Sequence, residues 1–246
     1  IYFIYMYTNF ISNDGFGSQY QKIFQTYIYC MHHNLNFFYC PIQKMEHNYE
    51  NDDNYIVKIE EMINLKNNIQ NGNDKKCIQI NFGETVLKWY ENNMDMCHKS
   101  ECMKFIKKCF WENKSKNVFN NNCINVAVHI RRNNSHDKGQ AGERITTPNE
   151  SYLNVINNIR NKYSEKNLKF HIYSQGNRAN FNILENDDVE FHLNEDICKT
   201  FIQLVGAEIL VISPSSLSYV AALISDGEIY YKSFWHKPCN NWVKYE

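Results

Sequence analysis

Two adjacent arginines stand at the end of an apolar run, in the stretch VAVHIRR at residues 126–132. Guanidinium groups are costly to hold where a strand gives way to a loop, unless an anion sits against them. Their planar forks match phosphate and carboxylate oxygens in two-pronged geometry. His129, Arg131 and Arg132 are therefore the first candidates for chemistry. A second set lies in SPSSLS at residues 213–218, where Ser213, Ser215 and Ser216 stand just before an apolar helical pattern. Hydroxyls and unpaired backbone N–H groups at a helix start suit a phosphate. Ser174, with Gln175 beside it, ends another apolar run. Together these residue types point to a diphosphate, and hence to a nucleotide. Each charge-assisted hydrogen bond to it would contribute about 1.5–3 kcal/mol.

Each motif has a plainer reading. The arginines can be surface ion-pairing residues, His129 can be a core histidine bracing backbone, and SPSSLS can be only a helix cap. Their common placement on one sheet edge is what favours a site. An N-terminal counterpart is DGFGSQYQ at residues 14–21, where Gly15 and Gly17 permit close backbone approach after a strand. It lacks the third glycine of a dinucleotide fingerprint, and no acidic residue ends NFFYCPI to read a ribose. No GxxxxGK[ST] element occurs, which argues against P-loop hydrolysis of ATP.

The elements that must position these residues are clearest in the C-terminal half. INVAVHI (124–130) reads as a buried parallel strand. Thr147-Pro148-Asn149-Glu150 reads as a capping box with Pro at the first helical position. Tyr152, Val155, Ile156, Ile159 and Tyr163 then share one helix face. KFHIY (169–173), VEFHL (189–193), EILVI (208–212) and EIYY (228–231) supply further strands. Helices are expected around Ala179 to Leu184, after Asn194 as cap, and through Leu217, Val220, Ala221 and Ile224. Strands alternating with helices predict a doubly wound α/β sheet. Ligands of such sheets bind outside the carboxyl ends of the strands, where all three polar groups fall.

The N-terminal half starts alike. IYFIYMY (1–7) reads as a strand, residues 8–18 as a loop, and Tyr20, Ile23, Phe24, Tyr27, Ile28 and Met31 as one helix face. NFFYCPI (36–42) is the next strand. EHNYENDDNY and LKNNIQNGNDKK read as solvated loops, Cys77 to Ile80 as a strand, and 84–92 and 101–111 as helices. KSKNVFNNN (114–122) is the natural linker, so the domains are drawn at 1–115 and 123–246.

Composition narrows the function classes. At 246 residues, 43% hydrophobic and 22% charged, the chain is globular and has room for two small domains. A net charge of −1 without a basic run argues against nucleic acid as a partner. No stretch approaches the ~18 apolar residues of a membrane span. Nine cysteines form no CxxC pair and no zinc spacing, and read as free thiols. The 36 asparagines reflect coding bias, so their tracts carry little functional weight.

In their order, three of these motifs resemble the inverting, GDP-fucose-dependent fucosyltransferases, the α1,2, α1,6 and protein O-fucosyl groups. GFGSQ looks like their early G-x-G-[NS]-Q loop, VAVHIRR like their H-x-R-R strand end, and EILVISPSSLSYVAALI like their late serine-bearing strand-to-helix segment. IYSQG is a fourth match, whereas residues 45–115 carry none. The resemblance implies a GT-B arrangement, two Rossmann-like doubly wound domains facing across a cleft. The C-terminal domain would hold the GDP-sugar and the N-terminal one the acceptor side. It implies inverting, metal-independent transfer of fucose to a glycan hydroxyl, with no cofactor besides the donor. The NDD stretches at 51–53 and 186–188 are weak substitutes for a metal-binding DxD element.

Carried over residue by residue, the resemblance gives Arg131 the leaving phosphate, Arg132 a second place there, and Ser213, Ser215 and Ser216 places beside them. His129 would support the loop or touch phosphate. Gly15, Phe16, Gly17 and Gln19 would close over the donor, with Ser174 at the adjoining strand end. Relatives continue the arginine motif with Gly-Asp, but here Asn133-Asn134 follows, and an amide cannot take a proton. Glu143 is the first choice for general base and Asp137 the second, with Lys138 beside it, as in the α1,6 group. Asp196 is the nearest candidate to read guanine. Two other readings stand beside this one: a GT-B enzyme using another nucleotide sugar, and a nucleotide-sugar-binding module without catalysis. The sequons at Asn113, Asn133 and Asn149 bear on compartment. A glycan on Asn133 would block the donor, which leans toward the cytosol; a lumenal protein whose anchor has been removed is the alternative.

Overall fold

The computed structural model describes residues 5–48, 51–70, 77–132 and 146–246. Two compact units divide the chain, Ile1–Lys114 and Ser115–Glu246.

In the first unit, strand β1 (Met6–Thr8) is central in a three-stranded parallel sheet. It lies between β2 (Asn36–Phe38) and β3 (Ile78–Gln79). Helix α1 spans Phe16–His32 and buries Tyr20, Ile23, Phe24 and Ile28. The expected loop over 8–18 is therefore shorter. Phe16 stacks on Tyr20 one turn later at 5.6 Å, and this aromatic pairing draws the DGFG segment into the helix. Helix α2 (Tyr55–Ile63) was not foreseen between two asparagine-rich stretches; it buries Ile59, Met62 and Ile63. Its Glu60 accepts hydrogen bonds from the Tyr39 hydroxyl at 2.7 Å and the Ile42 amide at 2.8 Å, fixing the chain after β2. A π-helical turn over Phe82–Leu87 leads into α3 (Lys88–Asn92) and α4 (Met94–Lys99). Helix α5 (Glu101–Trp111) is capped by Ser100, whose hydroxyl accepts from the Met103 amide at 3.1 Å.

The second unit is built on six parallel strands. They are β4 (Ile124–Ile130), β5 (Leu168–Ser174), β6 (Val189–Leu193), β7 (Ile209–Val211), β8 (Glu228–Tyr231) and β9 (Val243–Lys244). Their order is β6-β5-β4-β7-β8-β9, all pairs parallel. Counted within the unit this is the 3-2-1-4-5-6 order of dinucleotide-binding sheets, with its direction reversing between β4 and β7. Three helices cross between strands: α6 (Asn149–Lys162), α7 (Ile197–Gly206) and α8 (Ser216–Ile224). A 3₁₀ segment over Arg178–Leu184 makes the crossover between β5 and β6.

Side chains alternate across the sheet. Val126, Val128 and Ile130 of β4 join Tyr152, Val155, Ile156 and Ile159 of α6 in one buried core. Each fully buried side chain of this kind contributes about 1.5–3 kcal/mol. The opposite face carries Ala127 and His129. Two details depart from expectation. Thr147 does not cap α6; Pro148 occupies the cap position, because the Thr147 carbonyl turns toward the Arg132 guanidinium. Asn194 does not cap α7; Asp196 does, accepting from the Lys199 amide at 2.9 Å. Asn194 adopts φ 57° and instead exchanges two hydrogen bonds with the Gly176 backbone at 2.9 and 3.0 Å.

Candidate functional site

The carboxyl ends of β4, β5 and β7 bring the predicted residues of the second unit together. His129, near the end of β4, is 6% exposed, and its Nδ1 lies 2.8 Å from Ser213 Oγ. That bond bridges the two strands between which the sheet reverses direction. The Ser213 carbonyl then accepts from the Ser215 amide at 2.7 Å and the Ser218 hydroxyl at 3.2 Å. This knot forms the turn that launches α8. Ser215 is the N-cap with extended backbone, and its side chain makes no capping bond. The first intrahelical bond runs from the Tyr219 amide to the Ser215 carbonyl at 3.0 Å. The amides of Ser216, Leu217 and Ser218 precede it, at the positive end of the helix dipole. Ser174 closes the third strand end, its hydroxyl donating to the Ile130 carbonyl at 2.7 Å.

The two arginines take different roles. Arg132 donates to the Thr147 carbonyl at 3.1 Å, to the Arg131 carbonyl at 3.0 Å and to Asn149 Oδ1. Its guanidinium also lies 5.5 Å from the Phe181 ring centre. Asn149 passes the connection on, donating to the Asn180 carbonyl at 2.6 Å. Arg132 thus ties the end of β4 to the start of α6 and to the 3₁₀ crossover. Burial lowers its pKa, and the nearby Tyr152 phenol opposes that shift. Arg131 donates from its guanidinium to the Arg132 carbonyl and remains partly exposed at the strand end. The sequence pattern did not mark Thr147, Asn149, Tyr152 or Phe181 as partners of this arginine. Thr147 and Asn149 carried a local signal only as part of a helix start, and Tyr152 only as part of a helix face.

His129 is held neutral. Burial pushes its pKa down to about 3, with the Arg131 charge as the smaller cause. An unfolded histidine protonates near its ordinary 6.5, so between these values the unfolded chain binds the extra proton. Stability attached to neutral His129 is therefore present above the unfolded value and lost as pH falls through this window. Urea unfolding at pH 6.5 and 4.5 checks this. In His129→Gln the acid-induced loss should be smaller than in the unaltered chain by roughly 2 kcal/mol. Equal losses would show that folding leaves the His129 pKa where it is in the unfolded chain.

In the first unit the predicted loop is braced internally. Gly15 is the N-cap of α1, and a Cβ there would meet the His47 ring at 2.7 Å. Gly17 lies in the first turn of α1. Phe16 is 4% exposed, its ring stacked on Tyr20. The Gln19 amide donates to the Asp14 carbonyl at 2.6 Å and the Lys44 carbonyl at 2.8 Å. Asp14 receives Lys22, Ser12 and Ser18, so the segment is held by its own residues. Asp196, the guanine candidate, serves as the α7 cap. Glu143, Asp137, Lys138 and Asn133-Asn134 lie outside the described residues. All nine cysteines are free thiols, and no described helix is long and apolar enough to cross a membrane.

No family model matches the chain, and no curated protein matches it. Among solved structures it is similar to NodZ alpha-1,6-fucosyltransferase soaked with GDP-fucose, with a TM-score of 0.47 and 10% identity over 90% of this chain and 92% of that one. It is also similar to POFUT1 in complex with GDP, with a TM-score of 0.42 and 12% identity over 90% of this chain and 94% of that one. Likeness this distant carries no argument about chemistry. The residues at the sheet edge carry it.

Proposed function

We propose that the chain is a glycosyltransferase that moves fucose from GDP-fucose to a hydroxyl of a glycan acceptor. The observation that carries this reading is the hydrogen bond between His129 and Ser213 across the point where the sheet reverses. It sets Arg131, at the end of β4, and the amino end of α8, after β7, on the same sheet edge. A guanidinium and a set of backbone N–H groups there suit a diphosphate. The order of the GFGSQ, VAVHIRR and SPSSLS motifs, similar to that of GDP-fucose-dependent fucosyltransferases, supplies the identity of the sugar nucleotide.

The transfer follows from that cradle. An acceptor oxygen attacks the anomeric carbon as the bond to the β-phosphate breaks on the opposite face, so configuration inverts. Negative charge grows on the leaving GDP, where Arg131 and the α8 amides stabilise it. Arg132, occupied by backbone carbonyls and Asn149, positions Arg131 rather than touching phosphate. Glu143 takes the acceptor proton, with Asp137 as the alternative base. The GT-B reading of two Rossmann-like halves, and transfer without a metal, belong to the same proposal.

The test is a panel of nucleotide sugars offered with mixed glycan acceptors, read as released nucleoside diphosphate and as labelled product. GDP-fucose should be consumed and a fucosylated glycan should appear, with an unchanged rate after brief EDTA treatment. Turnover of a different nucleotide sugar would replace the donor assignment. Binding of GDP-fucose with no turnover for any acceptor would make the chain a binding module.

A further inference from the structure

A second cluster lies on the sheet face opposite the α6 core, away from the strand ends. His171 of β5 stands in register with Glu190 of β6, and Tyr173 with His192. Glu190 and His192, two residues apart, share that face with His171. Among the described residues, His171, Glu190 and His192 have ligand atoms that all lie within 4.8 Å of one another. The histidines are buried, at 3% and 6% exposure, while the Glu190 side chain is 54% exposed.

The hydrogen bonds around the pair fix both rings. The Cys123 amide donates to Asn121 Oδ1 at 3.0 Å, which leaves the Asn121 amide nitrogen to donate to Asn125 Oδ1 at 2.8 Å. Asn125 Nδ2 in turn donates to the Cys123 carbonyl at 3.1 Å. The oxygen of Asn125 is thus identified, and it lies 3.2 Å from His171 Nε2. That nitrogen must donate, so the His171 lone pair is on Nδ1. On the other ring, Glu195 Oε1 lies 3.0 Å from His192 Nδ1. A carboxylate only accepts, so His192 Nδ1 carries a hydrogen, and in the neutral ring Nε2 carries the lone pair. His171 Nδ1 and His192 Nε2 face each other at 3.0 Å. With both rings neutral, two imidazole lone pairs face each other across that distance, an arrangement that a cation between them relieves.

We propose that His171 Nδ1, His192 Nε2 and the Glu190 carboxylate bind a divalent first-row metal ion, with Zn²⁺ the best fit and solvent completing the site. Two imidazoles, one carboxylate and an open fourth position form an established zinc donor set. Zinc–ligand bonds of about 2.0–2.2 Å place tetrahedral ligands roughly 3.3 Å apart. The two ring nitrogens are close to that spacing. Glu190 oxygens lie 3.6 Å from His192 Nε2 and 4.0 Å from His171 Nδ1, a gap that an exposed side chain closes by a small rotation. The outer contacts are those a histidine metal ligand needs: Asn125 behind His171 and Glu195 behind His192, each orienting its ring. Glu195 is itself paired with Lys199 at 2.8 Å. The bound ion would clip the edge strand β6 to β5. This inference stands on the cluster alone and does not depend on the transfer reaction.

The test uses the full chain, stripped with a chelator and titrated with Zn²⁺ by calorimetry and with Co²⁺ by visible absorption. One equivalent should bind, Co²⁺ should give the intense visible bands of a tetrahedral site, and saturating Zn²⁺ should raise the melting temperature by roughly 5–10 °C. Glu195→Gln should weaken Zn²⁺ binding by about 10–100-fold while keeping the fold. Glu190→Gln, at an exposed position, should weaken it as well. Zn²⁺ affinity unchanged in both variants would assign the ion to surface histidines such as His32 and His33, and would overturn the proposal. So would imidazole NMR spectra showing both His192 nitrogens protonated with and without Zn²⁺, since a shared proton would then occupy the gap.

Discussion

Replacing Arg131 by alanine should lower fucosyl transfer from GDP-fucose by on the order of 10²-fold. A preorganised donor aimed at developing charge is worth about this much when removed. In the proposed reaction the leaving group is a diphosphate whose β-phosphate gains charge as the glycosidic bond breaks. Arg131 stands at the end of β4, next to the turn that the His129–Ser213 bond holds at 2.8 Å. Because its contribution grows with charge, the loss should fall mainly on kcat, with a smaller weakening of GDP binding. Lysine at this position should recover part of the rate, since it restores the charge but not the fork. Steady-state kinetics of the unaltered, Ala and Lys proteins make the comparison. Rates within twofold for the alanine variant would remove Arg131 from the site.

Arg132→Ala should act on stability instead, lowering it by about 3 kcal/mol in urea unfolding. Hydrogen bonds from a charged group contribute about 1.5–3 kcal/mol each, and bonds made by one side chain do not add in full. Arg132 serves the Thr147 and Arg131 carbonyls and Asn149 Oδ1, and packs on Phe181. Its removal leaves those acceptors without their donor and frees the start of α6 from the end of β4. Lysine, with one compact ammonium, cannot reach the same acceptors together, so Arg132→Lys should be nearly as unstable. A variant as stable as the unaltered chain, but with transfer lost, would reverse the roles given to the two arginines.

How far such roles could be read from sequence differs between the two units. In the second, the stretches INVAVHI and KFHIY mark β4 and β5, and the order of strands and helices dictates a doubly wound sheet. That placed His129, Arg131, Ser174 and Ser213 at strand ends without coordinates. Strand β9, only two residues long, carries no periodic signal and appears only through its pairing with β8. In the first unit the strands are two or three residues long, and asparagine-rich flanks dilute the pattern around α2. Local sequence also misjudged the caps of α6 and α7. Thr147 and Asn194 look like caps, but the first faces Arg132 and the second binds Gly176, both contacts between distant parts of the chain. The different partners of Arg131 and Arg132 were hidden for the same reason. Neighbours in sequence, they differ only in what the fold brings to them.

One sheet edge of the second unit is proposed to cradle a diphosphate. A crystal structure of the chain with GDP tests it most directly. The β-phosphate should lie within hydrogen-bond distance of the Arg131 guanidinium and of backbone amides at the start of α8, with Arg132 still bound to Thr147 and Asn149. A diphosphate located elsewhere, or Arg131 turned away from it, would overturn the proposed cradle.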